Sequence, residues 1–145
     1  MTTVQDLGDG IQIRKATEED IDGLVEVFYR SFNAPYWQYL FPNTPSKRQW
    51  WRESWILSFN NPHDRSFVAV DTRNNDKAIA LSRWMTPQTD GSKERPWPEL
   101  KDDEWDMDLA GAFFGGMDES HEELMQARPH WCKLKAEDRF CRSFH

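Results

Sequence analysis

A chain of 145 residues suffices for one domain around one core and is short for two ordinary ones. A formal net charge of -7 and a pI near 5.1 exclude a general binder of nucleic acid or anionic membrane, because such partners require a cationic face. With 38% hydrophobic and 14% aromatic residues, eight Trp and nine Phe among them, the composition also excludes a disordered chain and calls for a packed core.

The first ten residues are acidic and polar, where a secretory signal needs a basic start and an apolar run, and no window is long enough in apolar residues to cross a bilayer. The expected compartment is cytoplasm or nucleus. Residues 10–16 alternate Ile11 and Ile13 with Gln12 and Arg14, the period of a half-buried strand. Thr17-Glu18-Glu19-Asp20 supplies a capping-box start, after which Ile21, Leu24, Val25, Phe28 and Phe32 fall on one helical face. Asn33-Ala34-Pro35 ends that helix, and residues 36–42 read as an aromatic loop.

Ser46 with Gln49 opens a second helix, whose stripe of Trp51, Trp55 and Phe59 runs until Asn60-Asn61-Pro62. Residues 65–71 and 77–85 are β-type runs joined by a polar turn, a hairpin. From 86 to 98 the chain is polar and Pro-rich and leaves the core. A third helical pattern covers residues 104–126 through Met107, Ala110, Phe114, Met117, His121 and Leu124. Gly111, Gly115 and Gly116 weaken it by about 1 kcal/mol each. Residues 129–135 begin a further strand, and 136–145 show no period. Cys132 and Cys141 alone give no disulfide framework and fit a reducing environment.

The expected fold class is α/β (α+β), with the order β-α-α-β-β-α-β and a mixed, mostly antiparallel sheet. Residues 11–20, Ile-Gln-Ile-Arg-Lys-Ala-Thr-Glu-Glu-Asp, resemble the I-R-x-A-T-x-x-D opening of the GNAT N-acetyltransferases. The ordered set of Phe32, Tyr36-Trp37, Phe41-Pro42, Trp84 and Arg128-Pro129-His130-Trp131 is similar to a group of fungal GNAT proteins. The resemblance runs from about residue 10 to 131. It implies that residues 1–131 are the front portion of such a domain and 132–145 a divergent tail.

It further implies acetyl-CoA as co-substrate and an amine of a small molecule or peptide as acceptor. In that family a strand after the Arg-Pro-His-Trp stretch leads into a Gln/Arg-x-x-Gly-x-Gly/Ala loop, whose backbone N–H groups and helix N-terminus cradle the pyrophosphate. No glycine follows Gly116 here. No residue is therefore assigned to cofactor binding, and the chain is expected to end before that segment and to be impaired or inactive. A binding or interaction protein derived from a truncated acetyltransferase is the alternative. A string match at residues 5–10, Gln-Asp-Leu-Gly-Asp-Gly, precedes a strand rather than a helix and lacks the context of a phosphate loop.

Direct acyl transfer needs a proton acceptor, and the candidates are His121 and His130, whose imidazoles titrate near neutrality. Each also reads as a plain helix-face or strand residue. Tyr36, Trp37 and Trp84, with Tyr39 and Phe41, are the candidate substrate walls, although rings of this size more often only cover a core. The acidic run from Glu99 to Asp108 could attract a cationic acceptor, but reads first as a solvated face. His130, Cys132, Cys141 and His145 are four possible zinc ligands, the last pair spaced Cys-x-x-x-His, but the His-x-Cys of the first pair is not usual in structural zinc sites, and no metal is expected. The final strand should leave an unpaired sheet edge open to self-association.

Overall fold

The computed structural model describes residues 4–88, 97–101, 103–126, 128 and 131–136, the last five by their backbone. It is a mixed α/β fold, with helices laid on one face of a five-stranded sheet. Strand β1 (Gln5–Asp6) turns into β2 (Ile11–Lys15) through Gly8, Asp9 and Gly10, all at positive φ. Gly10 is required there: a Cβ would lie 2.7 Å from the Arg73 side chain, at a φ of 78° that suits glycine. The alternation of Ile11 and Ile13 marks β2 in the sequence, whereas two residues are too few to reveal β1.

A 3-10 turn at Glu18–Asp20 leads into α1 (Ile21–Ser31). The Asp20 carboxylate accepts a hydrogen bond from the Thr17 N–H at 2.8 Å and two from the Arg14 guanidinium at 2.7 Å, which ties the end of β2 to the start of the helix. Burial pushes the Asp20 carboxyl up, but these bonds outweigh it and hold the group below its ordinary value. Ile21, Leu24, Val25, Val27 and Phe28 form the buried face of α1. Gly23 allows close approach to the sheet, since a Cβ there would meet that of Ala78 at 2.9 Å.

The expected loop at 36–42 is instead mostly helix, α2 (Pro35–Leu40). Pro35 ends α1 in the sequence reading, yet its fixed φ and missing N–H suit the first turn of a helix equally well. Helix α3 (Pro45–Asn60) also begins on a proline, capped by Thr44 rather than opened at Ser46. It buries Trp50, Trp51, Ser54, Trp55 and Ser58 along one side.

Strands β3 (Asp64–Asp71) and β4 (Lys77–Met85) form the expected hairpin, closed by a short 3-10 turn with Asn75 and Asp76 at positive φ. In β3 the residues Asp64, Ser66, Val68 and Val70 are buried, while the alternate ones face outward, the signature of a sheet covered on one side. Helix α1 packs over β4 and α3 over β3.

Helix α4 (Met107–Met125) continues through Gly111, Gly115 and Gly116, and β5 (Cys132–Ala136) pairs with β4. The sheet runs β1-β2-β3-β4-β5 and is antiparallel at every pairing among the described residues, so the expected mixed sheet is corrected to an antiparallel one. The expected element order likewise gains β1 and α2. Most of the Pro-rich excursion lies outside the described residues.

Candidate functional site

One continuous aromatic cluster links α1, α2, α3 and α4 on the covered face of the sheet. Phe28 stands 4.1 Å from Trp51 and 4.7 Å from Phe32, ring centre to ring centre, and Phe32 is 4.7 Å from Trp37. Trp37 then meets Phe113 of α4 edge-on at 5.5 Å, while Trp97 meets Phe114 at 5.5 Å and stacks on Trp50 at 5.7 Å. Rings of this size cannot fill a volume without gaps unless their shapes interlock, and here they leave a partly enclosed cavity of about 60 Å³.

The wall combines residues far apart in sequence. Phe28 and Trp37 come from α1 and α2, Phe32 and Phe41 from the residues that directly follow those helices, and Trp51 and Trp55 from α3. Leu81 of β4 forms the floor, and Trp97, Phe113, Phe114 and Met117 complete the enclosure. The cavity surface is almost entirely carbon. The indole nitrogens of Trp51 and Trp55 are buried and find no acceptor among the described residues, but they contribute almost nothing to that surface.

A buried ion pair adjoins the cluster. Arg83 of β4 donates from Nε to Asp64 Oδ2 at 2.7 Å and lies 3.5 Å from Ser54 Oγ. Its guanidinium carbon is 5.8 Å from the ring centre of Trp55 and 5.4 Å from that of Trp97, within range of a cation–π contact. Both charged side chains are essentially inaccessible, at 1% and 0% exposure.

The segment before α4 is fastened by Lys47, which donates to the Glu104 carbonyl and sits 3.4 Å from the centre of the Trp105 ring. Burial lowers the pKa of that ammonium, with Glu104 opposing it. Tyr39 adds a 3.0 Å hydrogen bond to Asp106, the residue that caps α4.

Of the expected substrate walls, Trp37 lines the cavity directly. Tyr36 is 46% exposed and touches Trp37 and Phe113 from outside, and Tyr39 is exposed as well. Trp84 does not reach the cavity: it packs edge-on against Trp131 at 6.5 Å, in a separate pair. His121 is half-buried on α4, one helical turn beyond Met117, and so on the helix face that carries the cavity rim. His130 lies outside the described residues, as do Cys141 and His145 of the rejected zinc set and, for its side chain, Cys132.

Phe28, Phe32, Trp51, Trp55, Leu81, Trp97, Phe113, Phe114 and Met117 line the cavity and were not assigned to the site by sequence reasoning. Phe28, Phe32, Trp51, Trp55, Phe114 and Met117 carry a helical period that reads equally as core. Trp97 lies in a Pro-rich stretch, and an isolated indole there was the available signal.

The string match at residues 5–10 does not form a phosphate loop. The glycines of residues 5–10 belong to the β1–β2 turn, which a strand follows, so no helix N-terminus faces them, and the Arg73 side chain lies against Gly10. The described residues after Gly116 contain no glycine that could let a backbone approach a pyrophosphate. Comparison with protein-family models and with curated protein sequences finds no match to this chain. No described helix is long and apolar enough to cross a membrane.

Proposed function

We propose that this chain is a GNAT-type N-acetyltransferase-like protein, whose described residues build the acceptor side of that fold. By that resemblance it would transfer acetyl from acetyl-CoA to an amine on a small molecule or peptide. The observation that carries the reading is the aromatic cavity, walled by Trp37 and Phe41 in the very segment that the resemblance assigns to the acceptor. The strand β2, helix α1 and hairpin β3–β4 in succession support it as the opening of a GNAT-like order. His121, one turn past Met117 on α4, is the candidate proton acceptor on this face.

The cavity wall itself holds no acid or base, so these residues position a substrate rather than react with it. Positioning is what direct acyl transfer chiefly requires. Without a glycine-bearing loop among residues 117–145, the 145-residue chain should bind acetyl-CoA poorly and transfer acetyl weakly or not at all.

Calorimetric titration with acetyl-CoA is therefore expected to give no saturable heat near 1 μM, a dissociation constant that corresponds to about -8 kcal/mol. A saturable micromolar signal, abolished by replacing Lys133 and Lys135, would overturn that expectation and make the tail the phosphate site. The second reading is a non-catalytic binding protein, which the cavity free of acid–base groups favours. Acetylation of a panel of amines above the uncatalysed rate supports the enzyme, whereas ligand binding in the cavity with background transfer supports the binding protein.

A further inference from the structure

A cage of aromatic rings suggests a site for a cation, since ring faces attract ammonium and quaternary ammonium groups. Here the charges argue otherwise. The cation on these rings is supplied by the chain itself: Arg83 lies within 6 Å of the centres of Trp55 and Trp97, two of the wall residues, and is tied to the buried carboxylate of Asp64. None of the wall residues is a carboxylate that could balance a second positive charge. An ammonium moved from water into this space would lose its hydration and gain no counter-charge.

The volume sets the size. An apolar cavity of about 150 Å³ admits benzene and stays dry when empty. At about 60 Å³ this cavity has less than half that room, enough by proportion for roughly two to three non-hydrogen atoms. Its carbon surface offers a ligand no hydrogen bond, because the Trp51 and Trp55 nitrogens are shielded from it.

We propose that the aromatic cavity is a binding site for a small, neutral, apolar group of the size of a propyl or isopropyl unit, and that it rejects cations. Any amine on the same ligand stays outside, at the rim formed by Met117. The site stands on the cavity alone and does not depend on acetyl transfer, so the two are tested separately.

Three molecules of nearly equal shape and different polarity test it on the unaltered chain: propane, dimethyl ether and dimethylammonium. The reporters are the δ-methyl groups of Leu81 and the ε-methyl of Met117 in carbon–proton correlation spectra. Propane should shift them saturably, with a dissociation constant of about 1 mM, as a three-atom ligand permits. Dimethyl ether should bind more weakly than propane, and dimethylammonium at least about tenfold more weakly, because each loses hydration that the wall does not replace.

Met117→Trp, at a position 39% exposed, should plug the rim and abolish the propane shifts of Leu81 while leaving the circular dichroism spectrum unchanged. The proposal is overturned if dimethylammonium saturates the reporters as tightly as propane, or if propane leaves them unmoved up to its aqueous solubility.

Discussion

Arg83 and Asp64 show at the residue scale how position decides what a charge contributes. An exposed pair of this kind would contribute less than about 1 kcal/mol, but these two are removed from water, one on each strand of the β3–β4 hairpin. Asp64 Oδ1 has no hydrogen-bond partner among the described residues, so the pair is not ideally satisfied. Deleting one member leaves the other charge buried and uncompensated. Arg83→Met should therefore cost about 3–5 kcal/mol, while Arg83→Met combined with Asp64→Leu should recover most of that loss. Urea unfolding of the single and double variants checks this, and equal midpoints for the two would contradict it.

Helix α4 poses the corresponding question at the scale of the element. It runs 19 residues with three internal glycines and only Ala110 fully buried, so neither propensity nor deep burial explains it well. What holds it is the docking of Phe113 and Phe114 on the aromatic cluster, together with the Asp106 cap at its start. Nothing lies within 4 Å of a Cβ built at Gly111, Gly115 or Gly116, and none has positive φ. Gly115→Ala and Gly116→Ala should each stabilise the chain by about 0.5–1 kcal/mol, read as a rise in melting temperature. Gly10→Ala should do the opposite, because that turn needs both positive φ and the missing Cβ. A fall in melting temperature for the α4 variants would mean that the glycines face a surface they must not crowd.

At the scale of the whole molecule, the sheet ends differently on its two sides. β1 is two residues long and offers little edge, whereas β5 offers five residues paired only to β4 among the described strands. An open antiparallel edge recruits other strands, and lysines along it blunt that tendency. The β5 sequence contains Lys133 and Lys135. Sedimentation velocity over a wide concentration series should show reversible self-association. Replacing both lysines by Thr should bring its onset to lower concentration. A clean monomer in both forms at the highest concentration would rule out the edge as an association surface.

Local patterns in the sequence determined much of this architecture. The period-two alternation of Ile11 and Ile13, the helical stripe from Ile21 to Phe28 and the polar turn between two β-type runs each act over a few residues, so each could be read without knowing the fold. Helix α2 escaped because Pro35 fits both the end of one helix and the start of the next, and only the packing of Trp37 and Phe41 selects the second. The candidate site was legible only in part. Trp37 could be placed in it from its segment, while Trp84, of the same residue type and equally prominent in the sequence, turned out to pair with Trp131. Composition fixed that large rings must be buried. Which of them would meet around one empty volume, and that Arg83 would lie against the same rings, depends on bringing together residues as distant as Phe28 and Met117, and only tertiary packing decides that.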